Sequence, residues 1–231
     1  MKHKPRFGLS LAALGAIAAC GGGGGKGAGA QTPEPGEAEA IFAALEQRLL
    51  AADSLEVTAR IESRGPVEAA VQGSLVIQGE SILLGFEGHL DGKPVAMKLS
   101  ADASHMTGGS GELTFEQERP PALDDGLVLG LTRMGLLHNL YVLSTGNPPQ
   151  GTYGDAATWV TVSELTREED AIAFAVTVDG VPSARAKLWL NTETGLPARR
   201  EQTVSFDAGE SSSQTSRTLR VVEDYESFSA D

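Results

Sequence analysis

The stretch SLEVTARIESRGPVEAAVQGSLVIQG, Ser54–Gly79, holds two runs of strict alternation on either side of a turn. Apolar or small side chains occupy every second position from Leu55 to Ile61, and again from Val67 to Ile77. A period of two gives a β-strand one apolar face and one wet face. Gly65 and Pro66 turn the chain between the runs. Strands this regular, joined by so short a turn, predict an antiparallel meander.

The same alternation recurs along most of the 231 residues, interrupted by two helical segments. Glu37 opens the first helix, whose single apolar stripe must lie on another element. The second, over about 126–143, is apolar nearly all round and follows Asp124-Asp125, which we expect to cap it. The pattern fails over 107–111. The sequence therefore predicts an α+β fold, a single strongly curved antiparallel sheet with helices against one face. Further strands are predicted over 84–90, 95–99, 113–115, 158–165, 172–178, 184–190, 198–206 and 218–228.

The first nineteen residues are typical of a secretory signal, with a positive start and a short apolar run. They end in Ile17-Ala18-Ala19-Cys20, which resembles the bacterial lipobox, in which the cysteine is lipidated and becomes residue one. The glycine-rich residues that follow cannot offset the entropy of ordering and predict a flexible tether. We therefore expect a signal peptide over 1–19, a lipidated Cys20 with its tether over 20–36, and one folded domain over 37–231.

The chain is acidic, with 31 Asp and Glu against 18 Lys and Arg, a formal charge of −13. Removal of residues 1–19, which carry three Lys or Arg and no acid, leaves 15 basic and 31 acidic residues, a charge of −16. Such a surface argues against nucleic acid and against electrostatic docking on anionic lipid. Cys20 is the single cysteine, so we expect the exported domain to fold without disulfides.

A second specific stretch is LWLNTETGLP, Leu188–Pro197, which reads as a strand, a turn and a return strand. Gly195 is free to take a positive φ in the turn, and Pro197 opens the return strand. The stretch resembles a hairpin of the LolA/LolB/LppX superfamily of lipoprotein carriers and lipid-binding lipoproteins. The residues that carry the likeness are Trp189, Gly195, Leu196 and Pro197, and Asn191 stands where an aspartate is common. The order of helix, meander, apolar helix and hairpin over 37–231 matches in outline.

That resemblance implies an unclosed half-barrel of about 9–11 strands with helices on its concave face and an apolar cavity for acyl chains. Small inward residues favour such a cavity, although the same side chains would fill a solid core equally well. We expect the wall to come from apolar residues of the strands and of the second helix. These are Val57, Ile61, Val71, Leu75, Leu84, Phe86, Met97, Leu131, Met134, Ile172, Phe174 and Val176.

Catalytic chemistry is not indicated by the sequence. No two of His89, His105 and His138 have metal-ligand spacing, and Ser110 lacks the strand-to-helix context of a nucleophile elbow. We therefore expect no enzyme, no metal and no cofactor. Arg199-Arg200 could meet a lipid phosphate or carboxylate at a cavity mouth, but pairing with acidic neighbours across strands is the more favoured interpretation.

Two functions remain open on the sequence. The first is a membrane-anchored envelope lipoprotein that binds or carries a lipid or lipoprotein acyl chain, with a possible envelope protein partner. The second is a tethered interaction or scaffolding module with a filled core. Gly21 follows the cysteine where an aspartate would favour inner-membrane retention, so the periplasmic face of the outer membrane is the expected location if the cell has two membranes.

Overall fold

The computed structural model describes residues 36–111, 113–137, 139, 156–178, 180–206 and 217–231. The helices are α1 (Glu37–Leu50), α2 (Leu123–Arg133) and the short α3 (Ala156–Trp159). The strands are β1 (Ser54–Arg64), β2 (Ala69–Gln78), β3 (Ser81–Leu90), β4 (Lys93–Ala101), β5 (His105–Ser110), β6 (Leu113–Glu118), β7 (Val160–Glu168), β8 (Ala171–Val178), β9 (Val181–Leu190), β10 (Pro197–Phe206) and β11 (Arg217–Ala230).

All eleven described strands form one antiparallel sheet in the order β6-β5-β4-β3-β2-β1-β11-β10-β9-β8-β7. The edge strands β6 and β7 do not pair with each other, so the sheet is not closed. The α+β prediction of one antiparallel sheet, unclosed and with helices against it, is confirmed. Every neighbour in the sheet is also a neighbour in sequence except β1 and β11, which join the two halves of the meander.

The pairing of β1 with β11 contains a bulge between Thr58 and Ala59. A bulge leaves one extra residue on the partner strand, here Glu226. Its carboxylate lies on the outer face of the sheet, 3.0 Å from the Arg60 guanidinium and 2.7 Å from the Gln72 amide. The bulge therefore keeps a charged residue of β11 away from the apolar face.

Helix α1 packs against the β7–β8 side of the sheet through its apolar stripe, in which Ala38, Phe42, Leu45 and Leu49 are buried. The ring of Phe42 meets that of Phe174 edge to face, with centroids 5.0 Å apart. Such aromatic pairs add to the stability that area burial alone supplies. The predicted amphipathic helix thus lies on the inner face of the sheet.

The expectation that the alternation fails over 107–111 is wrong, because β5 runs through Ser110. Gly108 lies beside Phe115 in the β5–β6 register. A Cβ on Gly108 would fall 2.7 Å from the Phe115 ring, which therefore covers the glycine. Backbone ladders on both sides of β5 and this aromatic cover compensate for the weak strand propensity of glycine.

The apolar helix predicted over 126–143 is interrupted in the described residues. Helix α2 ends at Arg133, and Gly135 has a φ of +87°, which a right-handed helix does not permit. Leu136 and Leu137 are helical again. The predicted cap by Asp124-Asp125 is also wrong, since Ala122 is the N-cap residue and both aspartates lie in the first turn, where the helix dipole favours them.

Several sequence predictions fall outside the described residues. They are the signal peptide over 1–19, the lipidation of Cys20, nearly all of the tether over 20–36, His138, and the helix beyond residue 139. These and the 37–231 domain boundary stay predictions. Among the described residues no helix combines the length and hydropathy needed to cross a membrane.

Candidate functional site

The predicted wall residues lie together in the core between the sheet and the helices. Ten belong to strands and point to the face against which α1 and α2 pack, while Leu131 lies in α2 and Met134 is its C-cap residue. Eleven of the twelve are buried, and Met97 is half-buried. Their assembly into one cluster follows from the strand period, but their role as a ligand wall stays a prediction.

Burial of the inner face decreases towards one end of the sheet. We call this the open end and define it by the turns β1–β2, β3–β4, β5–β6 and β8–β9. On β4, Ala101 and Leu99 are buried, whereas Met97 and Val95, nearer this end, are half-buried. On β3 the exposed fraction rises from 5% at Phe86 to 40% at Leu90.

The same trend holds on three other strands, β5, β8 and β10, where Gly108, Val178 and Val204 are the half-buried inner residues near the open end. Ala184 on β9 and Leu219 on β11 are also half-buried there, but so are Leu190 and Phe228 at the opposite end of these two strands. The trend is absent on β1 and β2, where Ser63 and Ala69 are buried near the open end. It is reversed on β7, where Val160 is buried and accepts a hydrogen bond from Arg133 at its carbonyl. Half-buried inner residues therefore lie at the open end on either side of β1 and β2.

The opposite end is braced by arginines that reach from the helical layer to the turns; we call it the closed end. Arg119, just before α2, donates from its guanidinium to the carbonyls of Glu80 and Asp102, the latter at 2.8 Å. Arg48 of α1 donates to the Thr194 carbonyl in the β9–β10 turn at 2.6 Å. Hydrogen bonds from charged donors are stronger than neutral ones, so these contacts fix the helices to this end.

At two inward-facing glycines, Gly73 and Gly108, the absence of a side chain does not leave empty space. A Cβ on Gly73 would fall 2.5 Å from the Phe86 ring and 3.0 Å from Leu136, so these side chains already occupy the space above the glycine. Gly108 is covered in the same way by Phe115. The expectation that inward glycines favour a cavity is therefore wrong here, because neighbouring aromatic rings fill the gaps.

Arg200 is a charged residue in the middle of the apolar face and is 1% exposed. Its guanidinium donates to the carbonyl oxygens of Thr132, at 2.7 Å, and of Arg133, which end α2. It also donates twice to the Gln202 side-chain oxygen, at 3.1 and 2.8 Å. A cation at a helix C-terminus satisfies orphan carbonyls and complements the helix dipole.

Glu223 lies beside Arg200 in the β10–β11 register and is also 1% exposed. Its two carboxylate oxygens accept the backbone N–H groups of Leu136 and Leu137, each at 2.9 Å. The Tyr225 hydroxyl donates to the same carboxylate at 2.8 Å. A carboxylate at the start of a helical turn accepts from free N–H groups, just as the Arg200 cation donates to free carbonyls at the end of α2.

Arg200 and Glu223 together hold the interruption after α2; we call them the polar clamp. Arg200 binds the carbonyls that end α2, Glu223 binds the N–H groups that resume the helix, and Gly135 lies between. Burial lowers the pKa of Arg200, and its electrostatic interaction with Tyr225 and Glu223 opposes this shift. The clamp fixes Leu136 above Gly73 on the inner face.

Burial raises the pKa of the Tyr225 hydroxyl well above its usual value, and the Glu223 charge adds to the shift while Arg200 opposes it. The folded state thus keeps this proton at a pH where the unfolded state loses it. Stability contributed by Tyr225 is present below about pH 10, the usual tyrosine value, and is lost as the pH rises beyond it. Urea unfolding between pH 8 and pH 11 should show this loss in the wild type and a smaller one in Tyr225→Phe. Equal slopes in both proteins would contradict it.

A second set of buried contacts joins α1 to α2. The Arg133 guanidinium forms a two-pronged pair with the Glu46 carboxylate, at 2.7 and 2.8 Å, and the Thr132 hydroxyl donates to Glu46 at 3.0 Å. Both charged side chains are 12% exposed. Bidentate pairs of this kind add geometric specificity. The two helices are thereby positioned as one layer over the sheet.

The LolA-like hairpin adopts the predicted turn. The Asn191 side-chain oxygen accepts the N–H groups of Glu193 and Thr194, at 2.9 and 3.0 Å, a role that an aspartate would also fill. Gly195 has a φ of +69°. Leu196 and Pro197 are buried, whereas Trp189 is half-buried on the outer face with the Lys187 ammonium 4.8 Å from its ring centroid.

Arg199 and Arg200 are adjacent in sequence but face opposite sides of β10 and have different partners. Arg199 pairs with Asp224 and Glu201 on the outer face, at 2.8 and 2.9 Å, which is the cross-strand pairing that we favoured. Arg200 does neither of the two things expected, because it faces inward and binds helix carbonyls. The strand period could have indicated that Arg200 faces inward when Arg199 faces outward, because adjacent residues of a strand point to opposite sides of the sheet. By the same period, Glu223 faces the same side as Val221, which is buried.

Glu168 ends β7, and Glu169 and Asp170 form the turn between β7 and β8. Within the part of the chain that the structure describes, no three His, Cys, Asp or Glu side chains are grouped so that they could hold a metal ion. His105 and Ser104 form a local contact at 2.7 Å on the exposed β4–β5 turn.

No protein-family model and no curated protein matches the chain. Solved structures that are similar to it include a LolA superfamily protein from Nitrosomonas europaea, at 11% identity and a TM-score of 0.34, covering 84% of this chain and 93% of that one. A DUF1329 family protein from Desulfovibrio piger has 10% identity and a TM-score of 0.36, covering 83% and 91%.

A putative outer membrane lipoprotein-sorting protein domain from Vibrio parahaemolyticus is also similar, at 9% identity and a TM-score of 0.33, covering 83% of this chain and 91% of that one. The likeness to the LolA superfamily that the hairpin predicted is thus found among solved structures. Identities and TM-scores this low carry no argument about activity, so the functional inference rests on the residues of this chain.

Proposed function

We propose that the chain is a lipid-anchored lipoprotein of the bacterial cell envelope that binds or carries a lipid or lipoprotein acyl chain at the open end of its concave face. It does so without catalysis, cofactor or metal. Cys20 supplies the membrane anchor, and the periplasmic face of the outer membrane is the proposed location in a cell with two membranes. An envelope protein could supply or receive the ligand.

One observation carries this proposal. Inner-face burial decreases in the same direction, from the braced end to the open one, on β3, β4, β5, β8 and β10. In a solid core with two sealed ends we would expect no common direction. Apolar surface left half-buried in a concavity is what an acyl chain would cover, at about 25 cal/mol for each Å² removed from water.

The depth available to the ligand is limited by side chains that fill the groove. Met97 and Val95 on β4 are half-buried. Towards the centre of the sheet, Phe86 of β3 and Leu136 occupy the space over Gly73 of β2. We therefore place the ligand against β3–β6 near the open end. A longer acyl chain would have to displace Leu136, which Glu223 holds by its backbone N–H.

A filled scaffold without a lipid ligand is the second candidate, and the rings over Gly73 and Gly108 favour it. The two candidates differ in what a charge near the open end does. In the first, Met97→Glu removes apolar contact with the acyl chain and weakens binding. In the second there is no binding to lose.

Fluorescence titration of the purified chain with an environment-sensitive fatty acid tests the proposal. Met97→Glu should weaken binding by about tenfold, because losing about 50 Å² of apolar contact costs about 1.3 kcal/mol. The matched control is Leu83→Glu, on the outer face of β3 and 53% exposed, which should change affinity by less than about twofold. No saturable binding in the wild type, or equal loss in both variants, would contradict the proposal.

A further inference from the structure

Three of the five large hydrophobic side chains that are exposed in the described residues lie at the open end. They are Val67 in the β1–β2 turn, 38% exposed, Leu90 at the end of β3, 40% exposed, and Val181 at the start of β9, 62% exposed. The other two are Leu50 at the end of α1 and Leu83 on the outer face. Scattered exposed apolar residues are ordinary, but a group on separate turns at one end of a sheet is not.

Strand pairing positions these three side chains on both sides of the opening. Leu90 is opposite Ala69 in the β2–β3 register, two residues beyond Val67. The Asp91 N–H donates to the Glu68 carbonyl at 2.7 Å, which joins the two turns. Val181 belongs to the other half of the sheet, because β10, β11 and β1 separate β9 from β2. The half-buried inner residues Val95, Met97, Ala184 and Leu219 lie near the same end of β4, β9 and β11.

Charge at these turns differs from charge on the chain as a whole. Arg64 and Lys93 flank the same two turns as Glu68 and Asp91, so cations and anions are balanced there. The whole chain carries −13. Between the strands at the other two turns the sequence has Glu112 and Asp179, so the open end carries two cations and four anions in all. An anionic membrane would repel such a protein, whereas a zwitterionic surface would not.

We propose that the open end docks on the surface of a lipid bilayer, with Val67, Leu90 and Val181 entering the boundary between headgroups and acyl chains. This inference rests on the proposed function, for which it supplies a route: an acyl chain can pass between bilayer and groove without crossing water. The sixteen residues 21–36 can span at most about 53–58 Å, and a ten-residue strand spans about 33 Å, so the length of chain after Cys20 allows an anchored protein to present this end to its own membrane.

Vesicle flotation tests the docking with the chain from residue 20 onward carrying Cys20→Ser, so that no acyl anchor contributes. The probe is a vesicle of phosphatidylcholine, compared with one in which about a third of the lipid is phosphatidylglycerol. Partitioning should be measurable on the first and weaker on the second. Replacement of Val67, Leu90 and Val181 by serine should lower it at least about tenfold, since each side chain loses apolar burial.

The matched control is Leu50→Ser with Leu83→Ser, which removes two exposed apolar side chains elsewhere and should change partitioning by less than about twofold. Equal partitioning of the triple variant and the wild type, or no partitioning of the wild type, would overturn the inference. So would a wild-type dimer in sedimentation equilibrium that the triple variant abolishes, because the open end would then be an interface between two copies.

Titration with the fluorescent fatty acid without vesicles separates this inference from the function on which it rests. If the wild type binds vesicles but not the fatty acid, the proposed function is overturned and the docking is supported. If the wild type binds the fatty acid but not vesicles, the docking is overturned and the proposed function is supported. The double variant Val67→Ser with Val181→Ser, which leaves Leu90 and the rest of β3–β6 unchanged, should retain fatty-acid binding within about threefold, since its two substitutions lie outside the proposed ligand site.

Discussion

Arg200→Met is expected to lower the free energy of unfolding by about 3–5 kcal/mol, the range found when one member of a buried charged set is removed. Methionine approximates the volume of the side chain but donates nothing. The carbonyls of Thr132 and Arg133 would lose their donor, and the buried charge of Glu223 would lose its neighbouring cation. Both effects act on the same interruption after α2. Urea denaturation with a two-state fit measures the loss.

The adjacent residue provides the control. Arg199 has the same side chain on the opposite face of β10, is 41% exposed and pairs with Asp224 and Glu201. Arg199→Met should cost less than about 1 kcal/mol, as exposed ion pairs usually do. Equal costs at the two positions would show that Arg200 is not holding the helix. A double variant with Glu223→Gln should cost less than the sum of its single changes, because the two groups share one buried environment.

Gly135→Ala is expected to destabilise the protein by about 2–4 kcal/mol, combining backbone strain with a steric conflict. The φ of +87° is unfavourable for any residue with a Cβ. The new methyl group would also lie 2.7 Å from one carboxylate oxygen of Glu223 and 2.8 Å from the other. The carboxylate would have to move away from the N–H groups of Leu136 and Leu137.

Gly180→Ala separates the backbone strain from the steric conflict with Glu223. Gly180 has a φ of +76° in the β8–β9 turn, and a Cβ there would meet no atom within 4 Å. Its substitution should cost about 1–2 kcal/mol, the strain alone. The excess at Gly135 measures the contact with Glu223. If both alanine variants unfold at the same urea concentration, the clamp does not depend on a close approach at Gly135.

The pairing of consecutive strands could be predicted because its signals are local, whereas the pairing of β1 with β11 was not predicted. Alternation from Leu55 to Ile61 fixes which side chains face inward, and short turns such as Asp91-Gly92 require antiparallel neighbours. Nine of the ten predicted wall residues on strands are buried for that reason. The predicted gap at 107–111 failed because Gly108 depends on Phe115, a contact between strands that propensity does not contain.

The polar clamp could not be predicted, because it depends on where a helix ends above a sheet. The strand period places Arg200 and Glu223 inward, but an isolated sequence supplies no partner for a buried charge. Their partners are backbone groups of residues 132–137, whose availability follows from the positive φ of Gly135. Likewise the open end is defined by exposure on several strands at once, which no single pattern contains.

The central claim, that an acyl chain lies at the open end, is tested most directly by methyl NMR with a fatty acid that carries a nitroxide spin label. The chain has four methionines, so labelling of their methyl groups gives few signals. Met97 is half-buried near the open end, whereas Met106 and Met134 are buried. We predict that the Met97 signal broadens at the lowest ligand concentration while Met106 and Met134 change less. Uniform broadening, or none at saturating ligand, would contradict the account.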